Sequence, residues 1–373
     1  MTQTIFRVLV TGAQGFIGKN LVLRLREQGN FEVLTFARGD DDAVLQAALL
    51  AADAVIHLAG ENRPASPDAF DLVNAGLTRR VCDNLLALRK AVPVFLASSA
   101  QVELANPYGR SKLAAEQAVE HLAAANGNPV AIYRLPGVFG KWCKPNYNSV
   151  VATFCHNKAN DLPVQISDVN TCVRLVYVDD VVNSFMALLA SPWNGVVRPV
   201  ITPEYSITLG ELSEQIDAFK NCRSSLVSER VGTGLTRALY ATYVSYLPKD
   251  KFAYDVPAYG DARGVFVEML KTPDAGQFSF FTAHPGVTRG GHYHHTKTEK
   301  FLVIKGKARF GFRHMLTNEV HHLDTSGDKP QVVETVPGWT HDVTNVGDDE
   351  MVVMLWANEI FDRANPDTIS SKV

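Results

Sequence analysis

Up to about residue 220, short apolar runs alternate with apolar residues at helical spacing. "FRVLVTG" reads as a buried strand, "GKNLVLRLREQG" as an amphipathic helix closed by Gly29, and "FEVLTFARG" as a second strand. "ADAVIHLAG" follows, then a helical stretch around "AGLTRRVCDNLLALRKA", then the strand "VPVFLASSA". Near-continuous apolar strands separated by helices predict a parallel sheet covered on both faces. "TLGELSEQIDAFKN" predicts one more helix, with Glu211 near its start.

Beyond about residue 250 the pattern changes. The apolar runs become "GVFVEML", "GQFSFFTAH", "KFLVIKGKARFGFRH", "PQVVETVPG" and "EMVVMLWANEIF", broken by Gly, Pro, Asp and Asn. Short strands at this spacing, without helices between them, predict an antiparallel sandwich or barrel. The boundary falls within "ATYVSYLPKDKFAYDVPAYGD", giving domains at about 1–245 and 250–373.

The length of 373 residues fits two domains, and 46% hydrophobic with 20% charged residues fits an ordinary folded core. A net charge of −3 with no basic stripe argues against a nucleic-acid partner. The five cysteines are scattered without a CxxC pair, as expected for reduced thiols. No uncharged apolar run is long enough to span a membrane, and "MTQTIFRVLVTG" carries no leader signature. A soluble cytoplasmic protein is expected.

"VLVTGAQGFIGKNL" sets Gly12, Gly15 and Gly18 between a strand and a helix. Such a turn lets backbone approach a pyrophosphate, which the helix N-terminus then holds by N–H groups and dipole. With "VIHLAG", "FLASSAQV" (95–102), "NPYGRSK" (106–112), "YRLPGVFG" (133–140) and "RLVYVDDVV" (174–182), the first 240 residues or so resemble the extended short-chain dehydrogenase/reductases. The resemblance implies a Rossmann-type doubly wound sheet. It places a nicotinamide dinucleotide against Gly12, Gly15, Phe16, Ile17 and Gly18, against Leu58, Ala59 and Gly60, and against Leu135.

Tyr108 and Lys112 stand four apart, on one face of a helix. A phenol of pKa about 10 is a poor acid near neutrality, and a nearby ammonium lowers that value. The resemblance makes Tyr108 the proton donor and puts Lys112 on the nicotinamide ribose. It also selects Ser99, rather than Ser98, as the hydroxyl that holds the reacting oxygen. Where an acidic residue would favour NAD, the chain reads "TFARGDD". Arg38 there suits the extra phosphate of NADP, with Asp40 close behind. "GKWCKPNYNSVVATFCHNKANDLP" fills the family's substrate region, which points to Asn148 as a contact of a UDP- or dTDP-sugar. Lys141, Lys144 and Arg174 are candidate grips on its diphosphate.

"GGHYHHTKTEKF" (290–301) carries different chemistry. His292 and His294 share one face of a strand, and Glu299 needs a bend at "HTKT" to join them. His295 breaks the parity. His341 in "PGWTHDVTN" completes three imidazoles and a carboxylate, a set that suits Zn²⁺, Fe²⁺ or Mn²⁺. Gly286, His292, His294, Glu299 and Gly306, then Pro337, Gly338, His341 and Asn345, resemble the two cupin motifs over roughly 260–365. The resemblance implies an all-β jelly roll, with zinc as the expected metal. It also makes a homodimer through this half plausible.

A ketone acidifies its neighbouring C–H, so a keto-sugar can be inverted there only before it is reduced. The pairing of the two halves resembles the bifunctional enzymes of capsule and O-antigen assembly that make UDP-2-acetamido-2,6-dideoxy-L-talose. That resemblance implies C3 epimerisation of a UDP-4-keto-6-deoxy-HexNAc in the cupin, then C4 reduction by NADPH, towards N-acetyl-L-fucosamine. Lys297, His284 and Lys300 are candidate bases. The alternative is a reductase alone, with the cupin as a dimerisation module.

Overall fold

The computed structural model of the chain describes all residues except 1–4, 64–65, 67–69, 253, 295–296, 316, 329, 337–338 and 365. His295, Pro337 and Gly338 therefore lie outside the described residues. The rest divides into two compact units, residues 1–216 with 237–247, and residues 217–236 with 248–373.

In the first unit β1 (Phe6–Thr11), β2 (Phe31–Phe36), β3 (Ala54–His57), β4 (Val94–Ser99), β5 (Val130–Leu135) and β8 (Val196–Val197) form one parallel sheet in the order β2-β1-β3-β4-β5-β8. Successive residues feed opposite cores, because strand side chains alternate. Val8, Val10, Ile56, Phe95 and Tyr133 pack on one face with helices α1 (Phe16–Glu27) and α6 (Val178–Leu189). Leu9, Val55, Leu96 and Ile132 pack on the other, against α2 (Asp42–Ala51), α3 (Leu77–Ala87) and α4 (Pro107–Asn126). Both faces are dry, which is why these strands read as unbroken apolar runs. The apolar pattern did not mark α2, nor the π-helical turn Asp71–Gly76 that runs into α3.

The chain leaves β1 for β2 on one side and returns to β3 on the other. That reversal opens a crevice at the carboxyl ends of β1 and β3. A small sheet of β6 (Gly137–Phe139), β7 (Cys172–Tyr177) and β9 (Tyr205–Thr208) and the helix α5 (Val150–Ala159) carry the remaining landmarks. The helix α7 (Leu209–Ser225) begins with a reciprocal cap. Thr208 N–H donates to Glu211 Oε2 at 2.9 Å, and Glu211 N–H to Thr208 Oγ1 at 3.2 Å.

The second unit is a pair of antiparallel sheets. One runs β10 (Ala258–Asp261), β11 (Gly264–Thr272), β12 (Gly276–Ala283), β19 (Met351–Ala357), β14 (Glu299–Lys305), β17 (Val332–Glu334). The other runs β16 (Val320–Ser326), β15 (Lys307–His314), β18 (Trp339–Asn345), β13 (Thr288–Tyr293), β20 (Ile369–Ser370). Phe281, Phe301, Val303 and Val353 of the first meet Phe310, Phe312 and Val343 of the second in one core. Residues 226–228 join this unit by pairing beside β11, where Lys271 N–H donates to the Leu226 carbonyl at 2.7 Å. Among the described residues no helix is long and apolar enough to cross a membrane.

Candidate functional site

The β1–α1 turn is built so tightly that side chains are excluded. Gly12 has φ +71°, and a Cβ there would stand 2.7 Å from the Ala59 nitrogen. A Cβ on Gly18 would stand 2.2 Å from the Gly12 carbonyl oxygen. Phe16 and Ile17 open α1 directly behind Gly15 at its N-cap. Leu58 N–H donates to the Thr11 carbonyl, and Ala59 N–H to Thr11 Oγ1, which draws this loop against the glycine turn. A cradle that only glycine can line, at a helix start beside the crevice, fits a dinucleotide pyrophosphate.

The crevice wall carries Ser99, Tyr108 and Lys112. Asn106 caps α4 by accepting from Gly109 N–H at 2.7 Å, and Pro107 fixes the first turn, so Tyr108 stands at the helix mouth. Burial raises the Tyr108 pKa, and a hydrogen bond with Ser99 opposes the rise. Ser98 turns the other way and donates to Glu116 Oε1 at 2.5 Å. Lys112 is buried, donates to the Ala97 carbonyl at 2.9 Å, and lies 6.0 Å from the Tyr108 ring centre. Burial pulls its pKa down to about 8, against the Glu116 charge. A Cβ on Gly60 would come within 3.3 Å of Lys112 Nζ, so the loop after β3 closes directly over the lysine.

Several residues of this wall carry no sequence signal. Buried Asn74, on the π-helical turn, donates to Ser111 Oγ at 3.0 Å and to the Glu61 carbonyl at 3.2 Å. Glu61 accepts from Tyr147 OH at 2.6 Å, and this bond, against burial, holds its carboxyl below the usual range. His57 bridges the hydroxyls of Thr11 and Thr78 at 2.7 and 2.9 Å. Burial lowers its pKa to about 3, so it stays neutral.

The remaining predicted contacts are more scattered. Arg38 is 83% exposed and pairs with Glu61 at 3.1 Å, while the Asp40 carboxylate accepts from Ala37 N–H at 2.8 Å and so serves its own turn. Leu135 is buried in the core at the end of β5. Asn148 is exposed, one residue before the cap of α5. Two of the three proposed diphosphate grips spend their charge on carboxylates: Arg174 on Glu204 at 2.9 Å, and Lys141 on Asp179 at 2.7 Å. Lys144 stacks 5.2 Å from the Tyr147 ring centre.

In the second unit His292, His294, Glu299 and His341 converge, one ligand atom from each lying within 4.8 Å of the others. A bulge at Gly290, whose φ is +93°, shifts the β13 register so that His292 sits opposite His341 of β18. His294 follows β13 and Glu299 opens β14, so the two residues stand at the ends of strands in different sheets. Glu299 Oε2 lies 3.3 Å from His294 Nε2, 3.3 Å from His341 Nε2 and 4.0 Å from His292 Nε2. Ligand atoms ~2.1 Å from a tetrahedral ion stand roughly 3.4 Å apart. Nδ1 of buried His341 lacks a hydrogen-bond partner among the described residues, and its Nε2 faces the shared Glu299 carboxylate. Converging lone pairs around an orphaned imidazole fit a divalent cation.

The electrostatics agree. Burial raises the Glu299 pKa, but the three imidazoles and Lys297 outweigh it and hold the carboxyl well below the usual range. Burial lowers the His341 pKa against the opposing Glu299 carboxylate, which favours the neutral ring with one nitrogen lone pair free. Lys297 is buried with Nζ 2.9 Å from Glu299 Oε1, whereas Lys300 pairs with exposed Glu334 and His284 lies 3.9 Å from Glu350. Of these three candidate bases, Lys297 is the one at the cluster. Asn345 serves the fold, donating to the carbonyls of Ala283 and Asp349 at 2.9 and 2.8 Å.

Residues 8–201 match the NAD dependent epimerase/dehydratase family, and residues 259–369 match the polysaccharide biosynthesis C-terminal domain. The chain is 55% identical to a UDP-2-acetamido-2,6-beta-L-arabino-hexul-4-ose reductase of Pseudomonas aeruginosa, over 98% of this chain and 99% of that protein. Its fold is similar to the crystal structure of the capsular polysaccharide assembling protein CapF of Staphylococcus aureus, at 42% identity and a TM-score of 0.90, covering 98% of this chain and 100% of that one. A Thermus thermophilus UDP-glucose 4-epimerase complexed with NAD, 19% identical with a TM-score of 0.54, shares the fold over 65% of this chain and 99% of its own.

Proposed function

We propose a two-step activity on the premise that the chain belongs to the NAD dependent epimerase/dehydratase family and continues into a polysaccharide biosynthesis C-terminal domain. The enzyme inverts C3 of a UDP-4-keto-6-deoxy-HexNAc in the β unit, then reduces C4 in the crevice to UDP-2-acetamido-2,6-dideoxy-L-talose. Its place is capsular polysaccharide or O-antigen synthesis in the cytoplasm, upstream of N-acetyl-L-fucosamine. The observation that carries this is one chain, related throughout its length to a reductase of a UDP-hexul-4-ose, with a buried imidazole–carboxylate cluster outside its reductase half.

NADPH, when bound, would supply the hydride, and a divalent ion, for which the donor set suits zinc, would supply positive charge that favours a developing oxyanion. The chain's own residues do the rest. The Gly12–Gly18 turn with Leu58, Ala59 and Gly60 receives the dinucleotide, and Arg38 takes the phosphate that distinguishes NADP. Ser99 holds the ketone oxygen, Tyr108 donates the proton to it, and Lys112 orients the ribose while its ammonium stabilises the phenolate. Asn148 and Arg174 contact the nucleotide sugar. His292, His294, Glu299 and His341 hold the metal. Met269, Phe278, Ile304 and Met354 leave an apolar outer face on the β unit, which supports a homodimer through that unit.

The test is to incubate the enzyme with the keto-sugar in deuterated water, without and then with NADPH, and follow the sugar by NMR. Deuterium should enter C3 before any reduction. Reduction with no prior exchange at C3 would leave a reductase alone.

A further inference from the structure

We propose that the segment Asp367–Val373 is a positioning element of the metal centre: it fixes the His294 ring and closes the free edge of the strand that carries His292. The inference rests on the metal-site reading above. His294 Nδ1 donates to the Asp367 carbonyl, with Thr368 Oγ1 3.5 Å away. A ring nitrogen facing a carbonyl must carry the proton, so the Nε2 lone pair is left for the cluster. The Asp367 carboxylate accepts from Lys297 N–H at 2.9 Å, which ties the same residue to the bend leading to Glu299.

Beyond it, Ile369 pairs with Tyr293 and Ser370 with His292, and Ser371 N–H donates to the Gly291 carbonyl at 2.9 Å. β13 thus gains a second neighbour at the two positions around its first histidine. The far end is clamped by Arg313 on β15, which donates to Ser371 Oγ at 2.9 Å and to the Lys372 carbonyl at 3.0 Å. The strap is held at both ends, and its middle borders the ligands. Nothing in "PDTISSKV" reads as metal chemistry, because the bond to the His294 ring and the pairing with β13 are made by its backbone.

Two full-length proteins, unaltered and Arg313→Ala, and a third lacking residues 368–373, would be compared by zinc competition against a chromophoric chelator. Outer-shell partners of this kind change metal affinity by about tenfold to a hundredfold. The deletion should weaken zinc binding by about that range, and Arg313→Ala by less. Nitrogen NMR of metal-free protein should show His294 as the Nδ1-protonated tautomer in the unaltered chain and as a mixture in Arg313→Ala. NADPH binding, measured by fluorescence, should be the same in all three. Equal zinc affinity and an unchanged tautomer in Arg313→Ala would overturn the strap's role. Failure of the unaltered protein to bind zinc would instead overturn the metal reading.

Discussion

In the nucleotide crevice Lys112, Arg38 and Arg174 each have a protein partner of their own, whereas the histidine cluster crowds three imidazoles around one buried carboxylate. Lys112 donates to the Ala97 carbonyl, Arg38 pairs with Glu61, and Arg174 with Glu204. In the cluster three imidazoles and a carboxylate face one another, and His341 Nε2 meets the shared Glu299 carboxylate at 3.3 Å. The first arrangement is stable as it stands and can accept a large ligand by exchanging partners. The second fits a cation, which would give its crowded imidazoles and carboxylate a common partner. On the proposed reading one site is preorganised by the fold, and the other would be organised jointly by the fold and a bound cation.

That contrast breaks first at Tyr108. Tyr108→Phe removes the hydroxyl proposed as proton donor and leaves the glycine cradle intact. NADPH oxidation should fall by about 10²–10⁴-fold with cofactor affinity unchanged, as stopped-flow and fluorescence titration would show. Deuterium exchange at C3 should continue at its normal rate in this variant. A parallel loss of exchange would mean that the two sites do not work separately.

The reciprocal change is His292→Ala. Zinc content, measured by elemental analysis, should drop, and C3 exchange should fall by about 10²-fold or more. Reduction of a substrate already inverted at C3 should persist. A variant that still exchanges C3 normally would reduce the β unit to a structural module.

The sequence made these two sites legible to different depths, for a physical reason. The glycine turn and the Tyr108/Lys112 pair are local, fixed by a strand, a helix start and a spacing of four. Of the four clustered residues, His292, His294 and Glu299 are nearly local, but their convergence depends on the Gly290 bulge and a crossing between sheets. His341 joins through strand register, which spacing alone does not set. Asn74, Tyr147 and Asp367 were invisible because each acts through a long-range hydrogen bond of an ordinary polar residue. Arg174 and Lys141 show the same limit from the other side. Their charge was plain, but the carboxylates that occupy them come from elsewhere in the chain.

A smaller effect separates chemistry from stability in the crevice. Burial lowers the Lys112 pKa from 10.5 to about 8. The folded protein therefore binds fewer protons than the unfolded chain between those values. Lys112 weighs fully against folding below pH about 8, and that cost is relieved as pH rises from there to 10.5. Its ammonium is lost over the same range, so NADPH oxidation should fall by about tenfold per pH unit above 8. Lys112→Arg should flatten this limb in a pH–rate profile, at a lower plateau. An unchanged limb would assign the titration to another group.

The smallest expected effect lies at Arg38. Its guanidinium is mostly exposed, and its pairing with Glu61 at 3.1 Å is worth no more than about 1 kcal/mol in water. A ribose phosphate can therefore win it by exchange, while Glu61 keeps its bond to Tyr147. Arg38→Ser should raise the KM for NADPH roughly tenfold and leave that for NADH nearly unchanged, with the difference shrinking as salt screens the charge. Equal changes for both cofactors would make Arg38 a surface residue. The exchange of partners expected in the crevice would then have to begin elsewhere, at Lys112 and the loop that Gly60 closes over it.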